Sequence, residues 1–160
     1  MKRKQPFSYE EFKDIYSKVP RLCVDLIIQD EKGNFVLLKR GMEPYKGYWE
    51  IPGGTVLFRE SIDQAIERIA KEEVGLKVKV EGLVGFIEFL EEERGNRPFH
   101  SLSLAVVCTP EKLRTSESYS IFNQIPDETI PEQAKFLERY LKGLCEDDAC
   151  HDPNCEEDHS

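Results

Sequence analysis

The sequence predicts an α/β fold in which a mixed β-sheet is covered by helices on both faces. The chain has 160 residues, of which 39% are hydrophobic and 33% are charged, a size and composition typical of one globular domain. Strand-like apolar runs and amphipathic helical stretches follow one another without a regular strand–helix–strand repeat. Because a doubly wound parallel sheet requires that repeat, a mixed sheet explains the order of elements better.

The first predicted elements are a helix and two strands. Ser8 and Glu11 have the spacing of a capping box, which predicts a helix over residues 8–19. Residues 21–29 form a nearly continuous apolar run, typical of a strand that is buried on both faces. A glycine-containing turn leads to a second strand at 35–39, so we expect these two strands to pair as a hairpin.

The elements that follow complete one domain. A helix is predicted over residues 61–74, and Gly75 has the position of the left-handed residue that ends many helices. The remaining predicted elements are three strands and a final helix, at residues 76–80, 83–90, 101–108 and 131–144. We expect a charged turn over residues 91–98 and a single domain over residues 1–144, with its core at 20–144.

Residues 145–160 form an acidic tail. They contain seven acidic residues and no Lys or Arg, so the formal net charge of −9 leaves only −2 on the rest of the chain. They also contain five residues of the types that bind zinc, namely Cys145, Cys150, His151, Cys155 and His159. Because their spacing matches no standard zinc-binding unit, we favour a disordered tail over a zinc site.

Composition also bears on location and partners. The chain has no run of the roughly 18 apolar residues that a membrane span needs, and its basic first residues are not followed by the apolar segment of a signal peptide. Its five cysteines are too few and too unevenly spaced for a disulfide framework. We therefore expect a cytoplasmic protein, and the acidic balance argues against a nucleic acid polymer as its partner.

The helix predicted after the double glycine carries the clearest chemical signal. Its apolar stripe consists of Ile62, Ala65, Ile66 and Ile69. The same row continues into Glu72 and Glu73, although acidic residues at a helix C-terminus oppose the helix dipole. With Glu60 and the carbonyl groups of the glycine loop, these carboxylates would suit Mg²⁺ or Mn²⁺. The spacing equally allows a solvated last turn in which Arg68 pairs with Glu72.

The stretch from Gly54 to Leu76 resembles the Nudix box. The pattern of that family is Gly, five residues, Glu, seven residues, Arg-Glu, an apolar residue, one residue, Glu-Glu, one residue, Gly and an apolar residue. The residues that match it in register are Gly54, Glu60, Arg68, Ala70, Glu72, Glu73, Gly75 and Leu76. The resemblance implies an α/β/α sandwich that uses a divalent metal to hydrolyse a nucleoside diphosphate linked to another group.

The resemblance also implies roles for individual residues. Glu72 and Glu73 would bind the metal or support its ligands, and Gly53 would offer its carbonyl oxygen. Arg68 would orient the acidic cluster, and Glu60 would brace it. The metal, Mg²⁺ or Mn²⁺, would neutralise the diphosphate so that water can attack.

One position departs from the family pattern. Ile69 stands where the family has a Glu that is usually a metal ligand, one helical turn before Glu73. The chain is therefore either an inactive member or one that binds fewer metal ions. The GDP-mannose mannosyl hydrolase branch of the family also lacks this Glu. This chain resembles that branch at four further residues, which we expect to bind substrate: Asp25, Arg40, Tyr48 and His100. Asp25 needs a partner on its buried strand, and Arg40 is the candidate.

The resemblance to that branch implies a particular reaction. A single metal would stabilise a departing nucleoside diphosphate while a base activates water at the sugar carbon, as in inverting glycosidases. Two features depart from the branch: Thr55 replaces an Arg, and residues 109–125 lack the His that serves as the base. We expect Glu117 to replace that His and Tyr119 to line the pocket.

Three functional interpretations follow. The first is a hydrolase that splits an NDP-sugar into NDP and free sugar. The second is a Nudix pyrophosphatase acting on ADP-ribose, NDP-sugars or nucleotides, which the intact Glu72-Glu73 pair and Thr55 favour. The third is a nucleotide-binding domain without catalysis, which Ile69 alone would permit. In each, the partner is a small nucleoside diphosphate derivative. The resemblance also allows a homodimer, because family members are often dimers.

Overall fold

Two β-sheets form the centre of the fold in the computed structural model, which describes residues 6–143. The larger sheet has four strands: β1 (Arg21–Ile28), β4 (Gly53–Thr55), β5 (Val78–Arg94) and β6 (Arg97–Pro110). Their order is β4-β1-β6-β5, and β1 runs parallel to β6 but antiparallel to β4. The predicted mixed sheet is therefore confirmed.

The smaller sheet has the order β3-β2-β7, with strands β2 (Phe35–Lys39), β3 (Trp49–Glu50) and β7 (Ser120–Phe122). The predicted hairpin between β1 and β2 is wrong. A single bridge joins Gln29 to Phe35 next to the turn, and the two strands then enter different sheets. The reason is that β4 and β6 already occupy the two hydrogen-bonding edges of β1.

Within residues 6–143, three α-helices accompany the sheets, at Tyr9–Tyr16 (α1), Ile62–Ile69 (α2) and Pro131–Leu141 (α3). The capping box of α1 is present, with the backbone N–H of Glu11 donating to Ser8 Oγ at 3.2 Å and its carboxylate accepting from the Ser8 N–H at 2.7 Å. The helix is shorter than predicted because Ser17 caps its C-terminus. A second capping box begins α2.

A π-helical turn over Ala70–Val74 follows α2 directly. The prediction of a helix that ends at Gly75 is confirmed, because that glycine has the left-handed φ of 64°. The last turn is wider than an α-helical one, which the sequence pattern did not predict. Such π turns are rare and often lie at functional sites.

The two long strands β5 and β6 correct three predictions. The two strands predicted at 76–80 and 83–90 are one strand, because β-bulges absorb the irregular positions while pairing with β6 continues. The predicted charged turn over 91–98 is largely strand. The reversal itself takes place at Gly95 and Asn96, whose φ values of 57° and 63° are those of a tight hairpin turn.

Strand β1 separates the core from the candidate site. One of its faces, with Val24 and Leu26, packs with α2 in the larger apolar cluster. The opposite face places Ile27 in a second cluster, with Leu137 of α3. The strand is buried on both faces, as predicted.

In the described part of the chain, no helix is both long enough and apolar enough to cross a membrane. The predicted tail at 145–160, with its candidate zinc ligands, lies outside the described residues.

Candidate functional site

A cleft of about 640 Å³ opens beside the face of β1 that α2 does not cover. Arg21, Cys23 and Asp25 alternate along β1 and all line this cleft. The double glycine of β4 forms its floor on one side, and the end of the β5–β6 hairpin forms the opposite wall. The loop after β2 and the start of α3 complete the rim.

Asp25 is the most deeply buried carboxylate in the cleft. Its Oδ2 accepts a hydrogen bond from Gln133 Nε2 at 3.0 Å, and Gln133 Oε1 accepts from the N–H of Ile51 at 2.9 Å. Burial raises the pKa of Asp25 to about 6, although its neighbours Ser103 and Gln133 favour the ionised form. The buried Ser103 hydroxyl has no hydrogen bond of good geometry within the described chain. Gln133 therefore ties β1 to α3 through this carboxylate.

Arg68 is held by the acidic residues that the resemblance associates with it. Its guanidinium donates to Glu60 at 2.7 and 3.0 Å, to Glu72 at 3.3 Å and to the carbonyl oxygen of Thr55 at 2.9 Å. The side chain of Glu60 is 1% exposed and also accepts from the N–H of Leu57. The structure therefore brings Glu60, Arg68 and Glu72 together beneath β4, outside the residues that line the cleft.

Glu73 is the carboxylate of the helix end that faces the cleft. Among residues 6–143 it forms no ion pair or hydrogen bond, in contrast to Glu60 and Glu72. Surrounding protein removes water from it, and the negative charges of Glu50 and Glu72 lie nearby, so the pKa of Glu73 is raised. A cation beside Glu73 would relieve this repulsion.

Ile69 does not face that cation position. It is 1% exposed, belongs to the apolar cluster beneath α2, and lies under Gly54. Within the described residues, no three His, Cys, Asp or Glu side chains are grouped closely enough to hold a metal ion. Mg²⁺ commonly binds one or two carboxylates and completes its shell with water and substrate phosphates. Glu73, with the carbonyl oxygen of Gly53, has the donor chemistry for one such ion.

Arg40 pairs with Glu50 rather than with Asp25, which corrects the expected ion pair. Its Nη1 lies 2.7 Å from Glu50 Oε2, and its Nε donates to the carbonyl oxygen of Pro44. The Nη2 of Arg40 is buried without a hydrogen-bond partner in the described chain. The side chain as a whole lines the cleft, so Arg40 retains one donor group that the described chain does not use.

Four other expected residues do not line the cleft. Neighbouring residues of a strand face opposite sides, and because Ser101 lines the cleft, His100 faces away from it. Glu117 is exposed and lies outside the lining. Tyr48 also lies outside the lining, with its ring centroid 5.2 Å from that of Tyr45, which does line the cleft. Tyr119 is buried in the apolar core, where its hydroxyl donates to the carbonyl oxygen of Arg114 at 2.7 Å.

Sequence reasoning missed a charged group at the opposite end of the cleft. It consists of Arg21, Glu92, Arg94 and Ser101, and all four side chains line the cleft. The sequence indicated this group only weakly, through three charged residues at the ends of segments with a strand pattern. Their convergence depends on the register of β1, β5 and β6, which no local pattern predicts.

Comparison with known proteins agrees with this architecture. The model of the NUDIX domain matches residues 19–136. The low-salt glycan biosynthesis protein Agl8 of Haloferax volcanii is 40% identical over 142 residues, covering 84% of this chain and 88% of that protein. An ADP-ribose pyrophosphatase of Methanocaldococcus jannaschii is 46% identical over 67 residues, covering 41% of this chain and 38% of that protein.

Solved structures show the same fold. A NUDIX hydrolase from Nitrosomonas europaea superposes with a TM-score of 0.62 at 20% identity, covering 77% of this chain and 70% of that one. A MutT NUDIX hydrolase from Burkholderia pseudomallei superposes with a TM-score of 0.59 at 23% identity, covering 75% and 97%. Because the domain model spans most of the chain and Agl8 is similar over nearly its whole length, the chain belongs to the NUDIX family of hydrolases.

Proposed function

We propose that this enzyme hydrolyses a nucleoside-diphosphate sugar to NDP and free sugar, using one divalent cation held at Glu73. The observation that carries the proposal is the contrast between two neighbouring helical positions. Glu73 faces the cleft without an ion-pair partner in the described chain, whereas Ile69, one turn earlier, is sealed in the core. The helix therefore offers a single unpaired carboxylate to the cleft.

One cation is enough for cleavage of a carbon–oxygen bond. When the nucleophile attacks a phosphorus atom of the diphosphate, the negatively charged oxygens of both phosphates repel it. Several cations assist that reaction because they neutralise this charge. Attack at the anomeric carbon of the sugar requires charge neutralisation only on the departing diphosphate. The Mg²⁺ ion would supply that neutralisation as a Lewis acid when bound. Cleavage of the carbon–oxygen bond therefore does not need a metal site built from three protein carboxylates.

Other residues of the chain would bind the substrate and hold the metal ligand in place. Arg40 lines the cleft and keeps a buried Nη2 that no acceptor of the described chain uses, so its guanidinium is suited to contact a diphosphate oxygen. Asp25, held by Gln133, is suited to accept from a substrate hydroxyl. Arg68 and Glu60 fix the helix end that carries Glu73.

The base that activates water is assigned to a residue of the cleft rim. Glu117 was expected in this role but does not line the cleft, whereas Glu132 at the start of α3 does. In the proposed step, the water oxygen bonds to the anomeric carbon and its proton passes to Glu132. The bond from that carbon to the diphosphate oxygen breaks, and the electron pair leaves with NDP.

Similarity to known proteins supports a sugar-linked substrate. Agl8, which is similar over most of both chains, is named for glycan biosynthesis. The second candidate function is a pyrophosphatase that releases a nucleoside monophosphate and a phosphorylated product. The observation that favours it is the local similarity to an ADP-ribose pyrophosphatase, together with the intact Glu72-Glu73 pair.

A panel of NDP-sugars and ADP-ribose with Mg²⁺, followed by product analysis, tests the proposal. Free sugar plus NDP is the expected result. Nucleoside monophosphate plus sugar phosphate would replace the proposal with the second candidate, and tight binding without turnover would contradict catalysis. Glu132→Gln should lower kcat, while Glu138→Gln, on the exposed face of the same helix, should leave it unchanged. An unchanged kcat in Glu132→Gln would remove that residue as the base.

A further inference from the structure

Two arginines and one glutamate form the wall of the cleft at the end of the β5–β6 hairpin. Arg21 begins β1, whereas Glu92 and Arg94 lie near the end of β5. The side chains of both arginines are only 12% exposed, and that of Glu92 is 13% exposed. We call Arg21, Glu92, Arg94 and Ser101 the arginine wall.

The acceptors of the arginine wall are already in use. Oε1 of Glu92 accepts from Arg94 Nε at 3.1 Å and from Arg94 Nη2 at 2.6 Å. Oε2 of Glu92 accepts from the Ser101 hydroxyl at 3.0 Å and lies 3.6 Å from Arg21 Nη2. Each oxygen of the Glu92 carboxylate therefore already accepts at least one hydrogen bond.

Several donors of the arginine wall remain open. Arg21 uses Nε for Ser101 and Nη1 for Thr55, but its Nη2 is beyond hydrogen-bond distance from Glu92. Arg94 Nη1 makes no hydrogen bond within the described chain, and Arg94 lines the cleft. Two guanidinium charges face the one carboxylate of Glu92, so these four residues together carry a net positive charge, and their unused polar groups are the guanidinium donors. The exposed Glu91, next to Glu92 on β5, also lines the cleft.

Two arginines beside Glu92 are more than is needed to balance its single negative charge. A buried Glu92 needs one cationic partner, and Arg94 alone already makes two hydrogen bonds to it. A nucleobase edge that mixes donors and acceptors would need acceptors that are not yet engaged, whereas both oxygens of Glu92 already accept hydrogen bonds. Planar guanidinium groups are well matched to carboxylate and phosphate oxygens.

We propose that the arginine wall binds an oxyanion of the substrate through Arg21 and Arg94. The oxyanion is either the carboxylate of an acidic sugar or an additional phosphate on the nucleoside. Asp25 lies opposite Gly53, whose carbonyl oxygen is a suggested metal ligand, and Arg21 precedes Asp25 by four residues, or about 13 Å along the backbone of β1. The backbone of Arg21 therefore lies farther along β1 than the strand residue that faces Gly53. The inference rests on the proposed function only in that a nucleoside diphosphate derivative occupies the cleft.

Two matched pairs of ligands test the subsite and separate the two sources of the anion. UDP-glucuronate and UDP-glucose differ in a sugar carboxylate, and NADP⁺ and NAD⁺ differ in a nucleoside phosphate. Calorimetry on the full chain should show a preference of about 10- to 100-fold for the anionic member of one pair, as expected for a charged hydrogen-bonded contact. The pair that shows the preference identifies the source.

Arg94→Gln should abolish this preference while leaving the Kd of the neutral member unchanged. Arg97→Gln is the matched control, because Arg97 pairs with Arg94 across the hairpin but lies outside the cleft lining. Arg94→Lys, which keeps the charge but loses the planar fork, should retain part of the preference, and it replaces Arg94→Gln if that variant does not fold.

Two outcomes would overturn the inference. One is equal binding of both members of each pair by the unaltered chain, and the other is a preference that survives in Arg94→Gln. In either case the neutral ligands still bind, and the proposed function stands. Failure of all four ligands to bind, together with no turnover of any NDP-sugar in the panel described above, would instead contradict the proposed function and this inference together.

Discussion

Gly53 and Asp25 lie opposite each other across the β1–β4 pair, and the carboxylate of Asp25 occupies the space that a Cβ at residue 53 would fill. Such a Cβ would also lie 2.8 Å from the carbonyl oxygen of Val24. Real Cβ atoms essentially never approach backbone oxygen so closely. The glycine is therefore required by the carboxylate and backbone that it faces, independently of any metal.

Gly53→Ala should destabilise the protein, because either Asp25 or the backbone of β1 must move to admit the methyl group. Overpacking of this kind costs about 1–3 kcal/mol. Urea unfolding measures the change, with Gly82→Ala as the control, since a Cβ at Gly82 has no neighbour within 4 Å. Equal unfolding midpoints for the two variants would show that Asp25 and the backbone of β1 can move to admit the methyl group without loss of stability.

Glu73→Gln should abolish Mg²⁺-dependent turnover while leaving the fold intact, because Glu73 lacks an ion-pair partner within the described chain but faces the cleft. Activity is measured across a Mg²⁺ titration. Glu67→Gln, an exposed position on the same helix, serves as the control and should retain activity. A variant at Glu73 with the original rate and Mg²⁺ dependence would exclude this carboxylate as the ligand.

Arg68→Gln should lower the free energy of unfolding by about 3 kcal/mol, since it leaves the buried carboxylate of Glu60 without its guanidinium partner. Adding Glu60→Gln to that variant should restore part of the loss, because the unpaired charge is then removed. Chemical denaturation of the two single variants and the double variant measures the coupling. Simple additivity of the two losses would show that Glu60 and Arg68 do not stabilise each other.

The stability that Glu92 contributes should disappear in acid. Despite burial, Arg94 and Arg21 hold the pKa of Glu92 below its usual value, so the folded state favours its ionised form. That contribution is fully present above the unfolded pKa, about 4.3, and is lost as pH falls through the lower folded pKa. The stability difference between the unaltered chain and Glu92→Gln should therefore narrow as the pH falls from 7 to about 3, which is below the unfolded pKa.

Glu88→Gln is the control for this acid titration. Glu88 lies on the same strand and is exposed. Unfolding of all three proteins is followed by denaturant at each pH. A difference between Glu92→Gln and the unaltered chain that stays constant, or that widens towards acid, would contradict the assigned pKa direction.

Local features of this protein could be predicted from sequence, because short-range physical rules specify them. The capping box at Ser8, the left-handed Gly75 and the burial of β1 each depend on neighbours within a few residues. The contact of Arg68 with Glu72 at helical spacing belongs to the same class.

Features that depend on distant strands could not be predicted. Asp25 and Gln133 are 108 residues apart, and Arg21 and Ser101 are 80 residues apart. Such contacts depend on the register of β1 against β6 and on where α3 docks. The same limit explains why His100 was expected in the cleft, since the face of a strand residue is known only once the register is known.

Attack of water at carbon rather than at phosphorus is tested most directly by the fate of isotopically heavy oxygen. An NDP-sugar that the enzyme hydrolyses is incubated in heavy-oxygen water with Mg²⁺, and both products are analysed by mass spectrometry. A single cation at Glu73 and a core-facing Ile69 predict heavy oxygen in the sugar hydroxyl and none in the NDP. Heavy oxygen in a phosphate group would contradict the account.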